Sequence, residues 1–506
     1  MYVPPHLESL LTGDVLKYGP RGTNEYAFVL TEVVPDQFMR GQLAESWEVT
    51  TDPLGVRFNI RKGVMWQANP HIGFEPRELT AYDCAIALNR FKASSDVSEV
   101  WISYMPEEPF EALDRYTLQV HFDEFFAGWT NTFGCSFFPS IYPPEMIEAG
   151  AGDYRNHIGT GPFIITEHVR GSHVSWERNP DWWASKKIID GVEYDTPFID
   201  KMVYPMIMDE ATQMSAVRTG KIDWAHYIKN VYVDSLKATS PDLILKKYMS
   251  GNLLMVRWSC APGSLMSDRN LRRAIQQGTD VESIIDTIYG EGIAHGMPFN
   301  PWTPIKYTPV EELPTGTKEL FTCDPDKARQ MIIDAGYPKG FDLTLNYYAT
   351  SWECPDIAPL LKDQWEKIGI NVTLAPVEDV LMRSMWAAGD VEHGYIYSTG
   401  NAKIGVLKWF TIEPWAPFHG DEWFLEQLHI AETTMDPAEN LRMLKELGIY
   451  FNTEAGVLSL GNPYTYMGWW PWVKNYYGEL EQGYNNYMDV ESTLWIDQAL
   501  KKKMGY

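Results

Sequence analysis

Apolar and polar residues alternate in several short runs of this chain, and the runs predict its first elements. Between residues 43 and 66, Trp47 and Val49 share one side of an extended run. Val56, Phe58 and Ile60 share one side of the next. Asp52-Pro53-Leu54-Gly55 between them has reversal chemistry, so the pattern predicts a half-buried hairpin. Tyr116, Leu118, Val120 and Phe122 alternate in the same way and predict another strand. Between these strands Leu79-Thr80-Ala81-Tyr82-Asp83 predicts a helix start. The Thr80 hydroxyl can cap free amides, Asp83 at the third helical position favours the positive helix end, and Ile86, Leu88 and Phe91 would line the buried side. Residues of about 50–160 therefore read as a small α+β subdomain inserted between two portions of one sheet.

The run at 158–183 returns the chain to its starting sheet. Gly159-Thr160-Gly161-Pro162 combines two residues free to take positive φ with one of fixed φ, which predicts a tight turn. Residues 163–166 and 173–177 are rich in β-branched and aromatic side chains, and Arg170-Gly171-Ser172 between them has hairpin-turn chemistry. Arg178-Asn179-Pro180-Asp181 ends the second strand, and Trp182 and Trp183 follow as a paired apolar anchor. The glycines are not a phosphate loop, because no Lys-Ser or Lys-Thr follows and G-x-G-x-x-G spacing is absent. Asp209 to Gly220 then predicts a short helix, and Lys221-Ile222-Asp223-Trp224 resumes a strand.

From Asn252 the texture changes. Residues 253–258 predict a strand, and Asp268 caps a helix carrying Leu271, Ala274 and Ile275. A proline-rich connection runs through Pro298, Pro301, Pro304 and Pro309 before Asp324-Pro325 opens another helix, which Gly336 stops. Residues 341–347 predict a strand, 355–368 a helix with Ile357, Leu360, Leu361 and Ile368 inward, and 370–374 a second strand. Strand, helix, strand in this order predicts a parallel pair with a right-handed crossover, so the second lobe is α/β.

Composition narrows the functional classes. A chain of 506 residues is too long for one core and should hold two or three lobes. Its 42 basic and 68 acidic residues give −26, which opposes nucleic acid and anionic membranes as partners. Five cysteines, Cys84, Cys135, Cys260, Cys323 and Cys354, form no C-x-x-C pair and lack zinc spacing with histidine. The odd count leaves at least one thiol free, and Cys323 with Cys354 is one candidate disulfide. Residues 125–144 carry no charge, but Asn131, Gly134, Pro139, Pro143 and Pro144 favour a buried loop over a membrane span. The chain opens on Met1-Tyr2-Val3-Pro4-Pro5 without signal-peptide patterning, so it is either cytoplasmic or a secreted protein whose signal peptide has been removed. No H-E-x-x-H, G-x-S-x-G or Walker sequence occurs, so no catalytic residue, metal site or cofactor is assigned. His168 and His173 read as surface residues flanking one hairpin.

Several blocks carry a resemblance. Leu43-Ala44-Glu45-Ser46-Trp47-Glu48-Val49, Phe58-Asn59-Ile60-Arg61-Lys62-Gly63-Val64 and Leu79-Thr80-Ala81-Tyr82-Asp83 occur in the order of the LAESWEV, F-x-LRKGV and LTAEDV blocks of the family 5 extracellular solute-binding proteins. That family serves ABC importers and includes dipeptide-, oligopeptide- and nickel-binding members. Gly159-Thr160-Gly161-Pro162-Phe163 and Arg178-Asn179-Pro180-Asp181-Trp182-Trp183 are similar to its GTGPY and RNPDYW blocks. The match continues through Gly220-Lys221-Ile222-Asp223, Arg272-Arg273-Ala274-Ile275, Asp324-Pro325-Asp326-Lys327-Ala328 and Trp495. The resemblance implies a two-lobed α/β periplasmic-binding-protein fold (type II, cluster C) with an extra α+β subdomain in lobe I. Lobe I would take 1–255, lobe II 256–460, and 461–506 would return to lobe I. It also implies a hinged, extracytoplasmic, monomeric binding protein, periplasmic or at the cell surface, that encloses a small ligand between its lobes and delivers it to ABC permease subunits.

Peptide-binding relatives commonly hold the peptide amino group with an acidic residue in a Trp-containing loop of the second lobe. The corresponding stretch here, 391–410, has no aspartate. Ser398 falls near the family's tryptophan and Asn401 near its aspartate. A neutral asparagine suits a sugar hydroxyl, an amide or a carboxylate, whereas a buried ammonium prefers a charge. Tyr395, Tyr397 and Trp409 add flat faces for stacking, Arg383 can pair with a ligand carboxylate, and Trp258 is a further candidate. The expected ligand is a peptide or similar small polar solute, followed by an oligosaccharide or aromatic acid. The alternative of a different class is an extracellular polymer hydrolase, which would need a carboxylate pair such as two of Glu378, Asp379 and Glu413.

Overall fold

The computed structural model describes residues 5–506 apart from 29–33, 94–103, 136–138, 190, 250–251, 302–304, 351–352, 401–405 and 484–485. The chain forms two compact units. One comprises Met1–Ile228, Tyr232–Lys246 and Met467–Tyr506, and the other Lys229–Val231 and Lys247–Tyr466. Among the described residues no helix is long and apolar enough to cross a membrane.

After a short antiparallel pair of Leu11–Gly13 with Met39–Gly41, the first unit forms the hairpin of β1 (Ala44–Thr51) and β2 (Leu54–Ile60). Thr51 pairs directly with Leu54, so Asp52 and Pro53 make the reversal. The helix α1 (Ala81–Lys92) and the strands β3 (Phe110–Ala112) and β4 (Thr117–His121) follow, giving an antiparallel sheet in the order β1-β2-β4-β3. Val56, Phe58, Leu118 and Val120 are fully buried, and Phe58 meets Trp129 edge-on at 5.8 Å. The uncharged stretch at 125–144 thus supplies aromatic core, with Trp129 and Phe133 both buried. Two apolar positions face the other way. Val49, on the edge strand β1, is 42% exposed, and Ile86 is 45% exposed because α1 turns Ala81, Cys84, Ala85, Leu88 and Phe91 inward instead. The helix start is a capping box, with the Thr80 side chain accepting from the Asp83 amide and the Asp83 side chain accepting from the Thr80 amide. The Asp83 carboxylate accepts from the Thr80 amide (2.8 Å) and the Thr80 hydroxyl (2.9 Å), and Arg77 grips it with both Nη atoms (3.0 and 2.7 Å).

The run at 158–183 forms β5 (Phe163–Val169) and β6 (His173–Arg178), which with β7 (Lys201–Pro205) make a separate antiparallel sheet in the order β7-β6-β5. Phe163, Trp176 and Met202 pack between these strands. Gly159 and Gly161 do not adopt the left-handed conformation. They are required by close approach. A Cβ on Gly159 would lie 1.8 Å from the carbonyl oxygen of His6, and one on Gly161 2.7 Å from that of Pro5. The turn is tied by backbone. Gly161 donates to the His6 carbonyl (3.0 Å), and the side chains of Gln67 (3.1 Å) and Asn179 (2.9 Å) both donate to the Gly161 carbonyl.

The second unit is built on a five-stranded sheet. Its elements are β8 (Asn252–Trp258), α2 (Arg269–Gln277), α3 (Pro325–Asp334), β9 (Phe341–Tyr348), α4 (Cys354–Lys367), β10 (Ile370–Val377), α5 (Asp379–Ala388), β11 (Gly394–Gly400), α6 (Glu422–Thr433), α7 (Pro437–Thr453) and β12 (Val457–Ser459). The order is β10-β9-β11-β8-β12, with β9 parallel to β10 and β11, and β8 antiparallel to β11 and β12. One core holds Leu271, Ala274 and Ile275 of α2 with Ile357, Leu361 and Trp365 of α4, and a second holds Phe418, Phe424, Leu447 and Phe451. Asp268 and Asp324 cap α2 and α3 by accepting from Asn270 N (2.8 Å) and Lys327 N (2.9 Å). All five cysteines are free thiols. Cys323 is exposed while Cys354 is buried at the start of α4, and the two are not bridged.

Candidate functional site

The candidate residues of the second unit gather where β8 and β11 run side by side. The register places Arg257 opposite Tyr395, Met255 opposite Tyr397 and Leu254 opposite Ser398. Side chains alternate across a strand, so Tyr395, Tyr397 and Arg257 share one face while Ser398 takes the other. Tyr395 is only 2% exposed and packs at 5.0 Å against Trp386 of α5 and at 5.5 Å against Tyr397. Tyr397 and Trp409 are half-buried, and Arg383 lies on the exposed side of α5. Trp258 is fully buried in the core, 6.0 Å from Trp365. Asn401 lies outside the described residues.

The organising side chain is Arg257, next to the candidate tryptophan. It is 5% exposed, yet it donates from Nη2 to the Trp409 carbonyl (2.7 Å) and pairs with Glu413 (3.2 Å). Its guanidinium lies 4.2 Å over the Trp386 ring, with Phe410 at 5.5 Å and Tyr397 at 5.9 Å. Trp386 Nε1 donates to the second Glu413 oxygen (3.1 Å). A buried cation is tolerable only with a carboxylate, a carbonyl and aromatic faces around it, and this one has all three. The result is a clasp that fixes the segment carrying Trp409 against the tyrosine face of β11. Burial pushes the Tyr395 phenol far above its ordinary range and that of Tyr348 to about 12, so both remain neutral hydroxyls.

The sequence carried one signal for Arg257: a lone cation in the otherwise apolar run Leu253 to Trp258. Its partner Glu413 was weighed above as a hydrolase carboxylate. Here Glu413 is engaged by Arg257 and Trp386, in a setting of flat faces and neutral hydroxyls. Among the described residues no group of three or more histidine, cysteine, aspartate or glutamate side chains could hold a metal ion.

Comparison with known proteins places the chain in a class. The sequence pattern of the bacterial extracellular solute-binding proteins, family 5 Middle, matches residues 39–425, and the chain belongs to this family. This is a family of extracellular binding proteins, which puts the chain outside the cytoplasm. The di/tripeptide-binding protein 1 of Pseudomonas aeruginosa is 24% identical over 68% of this chain and 65% of its own length. The dipeptide-binding protein of Escherichia coli is 24% identical over 70% of this chain and 65% of its own. The chain thus spans just under two thirds of each of these relatives. The solved structure of the periplasmic binding protein DppA from Helicobacter pylori, in complex with peptide STSA, superposes with a TM-score of 0.71 at 20% identity. It covers 98% of this chain and 96% of that one. The fold is the type II periplasmic-binding-protein fold with mixed α/β content.

Proposed function

We propose that this protein is the extracytoplasmic substrate-binding component of an ABC importer, capturing a peptide or similar small polar solute and delivering it unaltered to the permease subunits. The observation that carries the reading is the Arg257 clasp, which bonds the Trp409 carbonyl and lies 5.9 Å from the Tyr397 ring, tying the segment of Trp409 to the tyrosine face of β11. Such a face grips a ligand by stacking and by neutral hydroxyls without offering a nucleophile and base to transform it. The names of the relatives support a peptide ligand over an oligosaccharide or an aromatic acid. Tyr397, Trp409 and Arg383 form the ligand-facing set in this proposal, Asn401 joins them on its place in the sequence alone, and Ser398 lies on the opposite face of β11. Tyr395 and Trp258, buried in the core, support the strand ends behind it.

The missing aspartate at 391–410 sets the expected chemistry. A peptide amino group would meet neutral acceptors and ring faces rather than an aspartate of this stretch, so affinity should depend on side-chain stacking. Titration calorimetry with a dipeptide panel tests this. A retained dipeptide whose affinity falls about tenfold or more in Trp409→Ala supports the proposal. Retention with equal affinity in Trp409→Ala and Asn401→Ala places the site elsewhere.

A further inference from the structure

The first unit contains a cavity of about 690 Å3 that the binding reading does not use. Its walls carry five cationic side chains, Arg40, Arg61, Lys62, Lys186 and Lys187, in a chain whose net charge is −26. We propose that this cavity binds a small multivalent oxyanion, a polyphosphate or a polycarboxylate.

Arg40 and Lys187 converge on buried Asp489, and Lys186 pairs with Asp195 at 2.5 Å. Among the described residues Glu45 is the one acidic residue lining the cavity. Arg40 also lies 3.9 Å from Asp14, so among the described residues five cations face four carboxylates, Asp489, Asp14, Asp195 and Glu45, leaving an excess of one positive charge. Against the cost of its burial, Arg40 and Lys187 hold Asp489 far below the usual carboxylate range, so it stays charged and those two cations stay partly neutralised. The excess rests on Arg61 and Lys62, which pair with no carboxylate among the described residues. Mutual repulsion of cations held in one cavity is relieved by an anion that bridges them.

Arg61 donates from Nε to the Gln42 carbonyl (3.1 Å) and lies 4.8 Å over the Trp183 ring. That ring is itself fixed, since Trp183 Nε1 donates to Glu8 (2.8 Å). The guanidinium plane is thus set by two contacts that leave its Nη donors without an acceptor among the described residues, the arrangement suited to a phosphate or carboxylate held by two parallel hydrogen bonds. The volume lies in the range of small-molecule sites, roughly 300–1,000 Å3. The acidic chain repels anions at long range, so recognition would depend on this local excess and weaken with salt.

The test is calorimetric titration of the intact protein with pyrophosphate and with citrate, using acetate and sodium chloride at matched ionic strength as references. Sedimentation with phosphatidylglycerol vesicles distinguishes a lipid headgroup from a free anion. Pyrophosphate or citrate should bind where acetate does not, and Lys62→Gln/Lys186→Gln should lose about tenfold or more in affinity while keeping its melting temperature. Both lysines are exposed, so this variant keeps the fold. Vesicle binding lost in the same variant assigns the site to a headgroup. Its absence, with the anions binding, assigns it to a free solute. Trp409→Ala should bind pyrophosphate as the unaltered protein does, which separates this outcome from that of the peptide site. A response equal to that of acetate, or an unchanged affinity in the double variant, overturns the proposal.

Discussion

Replacing Arg257 by methionine removes the clasp while keeping an apolar stem of similar length. Three contacts disappear: the donor to the Trp409 carbonyl at 2.7 Å, the pair with Glu413 at 3.2 Å and the stack on Trp386 at 4.2 Å. A hydrogen bond from a charged group contributes about 1.5–3 kcal/mol, and a desolvated cation over an indole about 1–2 kcal/mol. The Glu413 side chain is 27% exposed, so it can rehydrate, and its orphaning counts at the low end. The expected loss is therefore about 3 kcal/mol, readable as a lower urea midpoint at unchanged slope. Glu413→Gln should cost less, since its amide oxygen still accepts from Trp386 Nε1. The cycle of Arg257→Met with Glu413→Gln should show a coupling of about 1–2 kcal/mol. Arg257→Lys should fall between, keeping the charge but losing the fork. A loss below about 1 kcal/mol, or additive effects within about 0.5 kcal/mol, would show that the clasp does not hold this segment.

Other consequences can be measured independently. Gly159→Ala should lower stability by about 3 kcal/mol or more in a thermal melt, because its Cβ would sit 1.8 Å from the His6 carbonyl oxygen and backbone must move. Burial raises the carboxyl of Glu491 from an ordinary 4.5 to about 7 despite the Tyr204 hydroxyl bonded to it. Its contribution is complete below about pH 4.5 and is lost as pH rises through about 7, so Glu491→Gln should flatten the stability profile there and be the more stable protein above it, by about 3 kcal/mol. A thiol reagent should label Cys323 first in the native protein and all five cysteines after denaturation, and reductant should not change the melting temperature.

Much of the fold could be read from local pattern, and the exceptions have identifiable causes. The parallel pair of β9 and β10 around α4 follows from the apolar runs at 341–347 and 370–374 with a capped amphipathic stretch between them. The hairpin turn at Asp52 and Pro53 was equally plain, since turn chemistry is local. Ile86 misled because helix periodicity fixes which residues share a face but not which neighbour that face meets, and small residues, Ala81, Cys84 and Ala85, pack inward instead. Gly159 and Gly161 showed that the chain needs glycine there but not why, because the His6 and Pro5 carbonyls that crowd them are more than 150 residues away. In the candidate site the aromatic positions were visible as a cluster in sequence. Arg257 and Glu413 were not visible as a pair, because they meet only through the antiparallel register of β8 and β11 and the segment that follows.

The central claim is that the protein holds a small peptide reversibly and releases it unchanged. Equilibrating purified protein with a dipeptide library, separating it from free solute and analysing the released material by mass spectrometry tests that claim directly. One intact dipeptide per chain, unaltered in mass, recovered from the protein and reduced in the Trp409→Ala variant, is the predicted result. Recovery of cleaved fragments, or of no library member, would contradict it.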